Sequence, residues 1–180
     1  MYQSIIVYGL SDVYICKDDG IPIPLKGALD LEINISDNKT YAYLGGIEKV
    51  VMGSDKKADG VLSVLGLTNE NLSLLLGYKQ DKNGGVIIND GTDAPKLHLL
   101  FSRSCADGSK NLYHVFNVKF SLPNINANTL IEGNLEEDSI TLSLDIEYSR
   151  EYEGFYYMLN SNNNQEIARN FFNELQYPQY

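Results

Sequence analysis

Residues 139–148, SITLSLDIEY, alternate strictly between polar and apolar side chains. Successive side chains of a β-strand point to opposite faces, so this pattern predicts a strand with one apolar and one polar, partly acidic face. Such a strand is typical of an antiparallel sheet that packs on a core with one face and meets water with the other. The rest of the chain must therefore supply strands with the same alternation.

Further strands are predicted from the same alternation and from β-branched and aromatic residues between turn signals. The first two predicted strands are separated by Gly9. A turn at residues 36–39, SDNK, ends the third predicted strand. The predicted strands are residues 3–8, 12–17, 25–36, 40–44, 61–65, 96–102, 112–122 and 155–159, with a possible strand pair within 78–88.

Two helices are predicted. In the first, residues 68–76, Thr68 can cap the first turn and Gly77 can end the helix in a left-handed conformation. The second begins at Asn163 within a C-terminal helical extension at residues 161–180, and its apolar face consists of Ile167, Phe171 and Leu175. Residues 1–180 are thus expected to form one mainly β domain, an antiparallel β-sandwich or barrel with one flanking helix and a C-terminal helix.

Residues 45–60 stand apart from this pattern. The segment is long, polar and bounded by glycines, and Val50, Val51 and Met52 lie in its middle. Long segments of this kind inside a compact domain are uncommon and are usually functional or disordered. We predict a long loop that orders against a partner or, alternatively, a protruding hairpin.

The charge composition limits the classes of partner. The formal net charge is -10, which argues against binding to nucleic acid or to an anionic membrane surface. The first ten residues have no basic region and too short an apolar run for a signal peptide, and no stretch approaches the length of a membrane helix. Cys16 and Cys105 form no CxxC motif, so reduced, buried thiols are expected.

No convincing catalytic or metal site follows from the sequence, and no cofactor is expected. His98 and His114 each lie alone in a predicted strand without a nearby nucleophile motif, so core or surface histidines are favoured. Asp145 and Glu147 share a strand face but are best explained as solvated side chains. Residues 18–20, DDG, lack the further ligands of a calcium loop.

Four stretches carry a resemblance to a known family. Residues 7–17, VYGLSDVYICK, resemble the opening of the major tail proteins of long-tailed, siphovirus-type phages. A connector with Pro22 and Pro24 and a strand at 25–33, LKGALDLEI, follow as they do in that family. Residues 107–123, DGSKNLYHVFNVKFSLP, are similar to a later strand of the family, and the alternating strand at 139–148 also fits.

The resemblance implies a structural protein and not an enzyme: a tail-tube fold whose subunits form hexameric rings that stack into the tail tube of the virion. Assembly would take place in the host cytoplasm, with the tape measure, tail terminator and tail tip proteins as partners. DNA would pass through the lumen without specific binding, and no membrane would be involved.

Two sets of residues are candidates for these roles. The inter-subunit segment would be Val50, Val51, Met52, Gly53, Ser54, Asp55, Lys56 and Lys57. The acidic lumen lining, which would repel phosphate, would be Asp30, Glu32, Asp145 and Glu147. The alternatives are a small-molecule-binding β-barrel and a tube component of a tailocin-like particle.

Overall fold

A computed structural model of the protein describes residues 6–18, 20–44, 48–89, 92–121 and 139–179. These residues contain eight strands and two short helices. In chain order they are β1 (Val7–Cys16), β2 (Ile23–Pro24), β3 (Ala28–Leu44), β4 (Glu48–Val64), α1 (Asn69–Leu76), β5 (Leu97–Cys105), β6 (Lys110–Phe120), β7 (Ile140–Ile146), β8 (Tyr156–Asn160) and α2 (Gln165–Asn170).

The strands form one antiparallel sheet. Its order is β2-β1-β5-β6-β7-β4-β3, and β8 pairs with β6 off this path. The prediction of a mainly β, antiparallel fold is confirmed. Strand β7 shows the expected alternation directly, since Leu142, Leu144 and Ile146 are buried while Thr141, Ser143 and Asp145 are exposed.

The main core lies on one face of this sheet, where apolar side chains of five strands meet α1. Leu62 and Val64 of β4, Leu97 of β5 and Leu142 of β7 are fully buried there. A second, smaller cluster lies on the other face of β1, β5 and β6. There residues 161–179, which we call the C-terminal segment, cover Cys16, Leu100 and Leu112. Strand β5 is therefore covered on both faces.

The largest departure from the sequence prediction is the pair β3 and β4. Of the two interpretations of residues 45–60, the loop is wrong for residues 48–60, which lie in β4 as one strand of a hairpin, while residues 45–47 fall outside the described residues. The predicted turn at 36–39 is also wrong, because β3 continues through it to Leu44. The two strands form a long antiparallel hairpin in register from Ala28↔Val64 to Leu44↔Glu48.

Pairing explains why polar residues are extended here. Asp37 lies opposite Lys56 and Lys39 opposite Ser54, so residues typical of turns become cross-strand partners. Opposite charges directly across a strand pair stabilise it, by about 0.2–1 kcal/mol relative to Ala–Ala. A register shift between Thr40 and Tyr41 marks a bulge farther along the hairpin.

Strand β1 also differs from its prediction. Gly9 does not separate two strands but lies within one strand, Val7–Cys16, as a bulge with φ of 67°. A second irregularity follows between Ser11 and Tyr14, where Asp12 has φ of 51°. Each bulge adds local twist while the strand keeps its pairing with β5.

Both helices have a capping side chain at the first turn. Thr68 accepts a hydrogen bond from the Asn71 amide, and Gly77 ends α1 with φ of 73°, as predicted. Helix α2 is shorter than predicted, spans six residues and is capped by Asn164 and not by Asn163. Phe171 nevertheless lies fully buried in the second cluster, with Ile167 and Leu175 packed beside it.

The region predicted as a strand pair within residues 78–88 contains less regular structure. One isolated bridge joins Gln80 to Val86 around a turn in which Asp81 accepts hydrogen bonds from the amides of Asn83 and Gly85. The turn chemistry is therefore present, while regular strands are not assigned in this stretch.

Candidate functional site

The distal part of the β3–β4 hairpin extends beyond the rest of the sheet. Strand β7 pairs with β4 from Ala58 to Val64 and no farther. Beyond that point, residues 36–44 and 48–57 pair with each other, and we call this two-stranded segment the arm. Nine residues of extended chain span about 30 Å, so the arm is comparable in length to the width of a small domain.

The arm contains the whole predicted inter-subunit set. Val50, Val51, Met52, Gly53, Ser54, Asp55, Lys56 and Lys57 lie consecutively on β4. Lys56 and Lys57, the members whose side chains are described, are exposed. Among the described residues neither outer edge of the arm has a further strand partner. Free edges expose backbone donors and acceptors that can pair with another chain.

The acidic candidates lie mostly on one exposed face of three neighbouring strands. Asp30 and Glu32 of β3 share a parity, and the pairing register continues their face onto β4 and β7. Asp145 of β7 lies opposite Asp59 of β4, and both are exposed. Sequence reasoning missed Asp59 because it lay in the predicted loop. The strand alternation of β4 would have identified it.

Glu147 has a different environment from the other three acidic candidates. It follows the end of β7, where it forms ion pairs with Lys96 and Lys119. Lys119 also lies 3.5 Å from a carboxylate oxygen of Asp93. Glu147 therefore belongs to a mixed-charge cluster, in which its negative charge is locally balanced.

That cluster adjoins the base of the arm. A broad depression of about 1070 Å³ is lined by Lys56 and Lys57 together with Asp145 and Glu147. The two predicted sets, which are distant in sequence, thus meet here. Charges of both signs at one edge of the arm can orient an incoming surface by complementarity.

An open groove lies on the other face of β3. It has a volume of about 730 Å³ and runs between β3 and the strands β1, β5, β6 and β8. Most of its lining residues are apolar, and Leu29 and Ile35 are about half exposed, while Asp30 supplies a negative charge. Arg103 supplies a positive charge at the groove. The groove shows that β3, at one end of the strand order, approaches β1 near the other end.

The two histidines are not separate, as the sequence suggested, but lie side by side. His98 and His114 occupy adjacent strands and are both buried, with 2.9 Å between His98 Nδ1 and His114 Nε2. Burial lowers the pKa of His114 to about 4 and also lowers that of His98. The β5–β6 register brings them together, and no spacing rule in the sequence gives that register.

Within the described ranges, no group of three or more histidine, cysteine or carboxylate side chains is arranged to hold a metal ion. Across the same part of the chain, no helix has the length and apolar character needed to cross a membrane. A scan against protein-family models finds no matching family, and a search of curated proteins finds no matching relative.

Proposed function

We propose that the protein is a structural subunit of a phage tail tube, which assembles into hexameric rings that stack around a lumen for DNA passage. The observation that carries this proposal is the arm. A paired, two-stranded extension with free edges gains little stability within one subunit. It is suited to pairing with, or packing on, a neighbouring subunit.

The sheet supports the same proposal. It is antiparallel, and its two ends approach each other across the groove. We propose that this arrangement is the sandwich or barrel of the tail-tube type. One exposed face of β3, β4 and β7 bears Asp30, Glu32, Asp59 and Asp145. In a ring, repetition of that face would line the lumen with negative charge.

A negative lumen lets DNA pass without binding. Phosphate groups attach to lysine and arginine, and protein carboxylates repel them. Glu147 would contribute less repulsion than the other acidic residues, because Lys96 and Lys119 balance its charge. The tape measure, tail terminator and tail tip proteins remain the expected partners, with the virion tail as the location.

The test is negative-stain electron microscopy of the purified protein across a concentration series. Hollow tubes or sixfold rings are expected for the wild-type chain. In an arm-shortened variant, Asn-Gly replaces residues 40–53 and joins Lys39 to Ser54, which are register partners. This variant should fold, as judged by circular dichroism, and should fail to form tubes.

Lys82→Ala, at an exposed turn far along the chain from the arm, serves as the control and should assemble as the wild type does. Tubes formed at the wild-type rate by the arm-shortened variant would refute the role of the arm. If the wild-type chain remains monomeric at every concentration, the trial is repeated with tail-tip components. Failure of that second trial would refute the tube.

The groove favours a second candidate, a protein that binds a small apolar ligand. Its volume of about 730 Å³ lies within the usual range of ligand sites, and most of its lining residues are apolar, with Asp30 and Arg103 as charged members. This candidate predicts a monomer that binds an apolar fluorescent dye stoichiometrically. Ile33→Asp, which places a charge in the groove, should abolish that binding.

A further inference from the structure

A row of four polar groups crosses the second cluster, beneath the C-terminal segment. The Asp18 carboxylate lies 3.0 Å from His98 Nε2. His98 Nδ1 lies 2.9 Å from His114 Nε2, and His114 Nδ1 lies 2.8 Å from the backbone carbonyl oxygen of Gln176. The row thus links the turn after β1, through β5 and β6, to the segment that follows α2.

The row contains more hydrogen-bond contacts than two neutral histidine rings can supply with N–H groups. Both ends of the row, the Asp18 carboxylate and the Gln176 carbonyl, can only accept hydrogen bonds. Three contacts between two acceptors and two rings therefore require three ring N–H groups. Two neutral imidazoles supply two, because each carries one N–H. With both rings neutral, one contact must bring two acceptors face to face.

We propose that this row is a proton-binding site, in which one proton taken from solvent by His98 ties the turn after β1 to the C-terminal segment. Protonated His98 donates from Nε2 to Asp18 and from Nδ1 to His114 Nε2. His114 remains neutral and donates from Nδ1 to Gln176. All three contacts are then hydrogen bonds, and Asp18 balances the positive charge.

The placement of the proton on His98 follows from burial. His114 is completely buried, and desolvation lowers its pKa to about 4. Burial also lowers the pKa of His98, but the negative charge of Asp18 acts in the opposite direction. His98 is thus the ring of the two whose cation is directly stabilised by a carboxylate.

In the described part of the chain, the other titratable groups that the strand register and ring contacts bring to the pair are thiol and phenol groups. Cys16 lies opposite His98 in the β1–β5 register, and burial raises the pKa of its thiol. Tyr157 lies opposite His114 in the β6–β8 register, and the ring of Tyr177 packs against both histidines. Tyr152 stacks on Tyr177, and burial raises its pKa to about 12.

When His98 loses the proton, the contact with Asp18 is the one that opens. The Gln176 carbonyl requires the N–H on His114 Nδ1, which leaves His114 Nε2 to accept from His98 Nδ1. His98 Nε2 then carries no hydrogen and faces the Asp18 carboxylate, which is also an acceptor. The Asp18 side chain is 72% exposed, so it can turn into water at little cost. Acidification is therefore expected to bind the Asp18 side chain to His98, and neutral pH to release it.

The substitution Asp18→Asn distinguishes a proton-binding site from a buried histidine pair that does not depend on Asp18. An asparagine amide can donate to the bare His98 Nε2, so all three contacts are satisfied while both rings stay neutral. Asp18→Asn should therefore remove the need for the third proton. Asp93→Asn, which changes a carboxylate exposed on another part of the surface, is the matched control.

The experiment is a ¹⁵N NMR titration of the histidine rings in the full chain, from about pH 8 to about pH 4, which extends well below the ordinary histidine pKa of about 6.5 because burial lowers the pKa of His98. The chain has 2 histidines, which makes assignment direct. In wild type and Asp93→Asn, His98 is expected to gain an Nε2 N–H on acidification while His114 keeps its Nδ1 N–H. In Asp18→Asn the midpoint should fall by about one pH unit or more.

Two results would overturn the site. One is a wild-type His98 that carries a single N–H throughout the titration. The other is an Asp18→Asn variant whose His98 titrates with the wild-type midpoint. Neither result bears on tube assembly, because the site does not depend on the proposed function.

Discussion

At the scale of single residues, Gly60 is a position of the long hairpin at which the structure leaves no room for a side chain. It is buried in β4, and a Cβ atom added there would lie 2.3 Å from the Glu32 carbonyl oxygen and 3.4 Å from Ile33 Cα. Both are backbone atoms of the paired strand, so a side chain can be accommodated only if the strands separate.

We therefore expect Gly60→Ala to lower the free energy of unfolding by about 1–3 kcal/mol, the usual range for overpacking. Urea denaturation followed by circular dichroism measures the change. Gly66→Ala is the control, because an added Cβ meets no atom within 4 Å there. Equal effects of the two substitutions would show that the close approach of β3 is not the cause.

His114 makes stability depend on pH. Its pKa is about 4 in the folded state and about 6.5 when the chain is unfolded, so the unfolded state binds more protons between these values. Stability must then fall as the pH drops below about 6.5. Between about pH 7.5 and pH 5 the loss should be about 2 kcal/mol.

His114→Gln should remove that part of the pH dependence while the Gln176 carbonyl keeps a donor. Denaturation of both proteins at the two pH values provides the comparison. The same slope in the variant and the wild type would mean that other groups cause the loss.

At the scale of elements, the C-terminal segment is anchored by a fully buried aromatic side chain. Phe171 is completely buried against the second face of β1 and β5, and Phe172 stacks on Tyr14 at 4.8 Å between ring centroids. Phe171→Ala should cost about 3–5 kcal/mol of stability, as for other buried aromatic residues. Thermal unfolding measures it, with the partly exposed Phe172→Ala as the comparison. A larger loss at Phe172 would contradict this assignment.

Capping residues and strand alternation predicted those elements whose structure depends on residues close together in sequence. The Thr68 cap, the Gly77 end of α1 and the alternation of β7 are confirmed, since each depends on neighbours in sequence. The sequence left a loop and a hairpin open for the arm because polar residues such as Ser54 and Asp55 are extended only through backbone pairing with β3. Propensity cannot supply such long-range pairing.

The candidate sites divide in the same way. Asp30, Glu32 and Asp145 were found from strand alternation, and the structure places them on one exposed face. Asp59 and the histidine pair depend on register between strands that are distant in sequence, which the sequence alone does not give. The inter-subunit role of the arm and the lumen role of the acidic face remain predictions.

At the scale of the whole molecule, net charge should control assembly. The chain has a formal charge of -10, so the proposed rings of identical subunits would bring like charges together. Raising the ionic strength from about 0.05 M to about 0.5 M shortens the Debye length and weakens that repulsion. The protein concentration at which tubes appear in light scattering should therefore fall. An onset that rises with salt would show that attraction between opposite charges dominates.

The two faces of β5 are covered by parts of the chain that the ribosome synthesises at different times. Residues 97–102 are buried on both faces, yet the side chain that covers one of those faces, Phe171, lies about 70 residues later. During synthesis the chain can complete the main core while Leu100 and Leu112 are still bare. The nascent protein thus carries a temporary apolar surface until the segment around Phe171 leaves the ribosome. Chains interrupted before Phe171 should be the ones that chaperones retain.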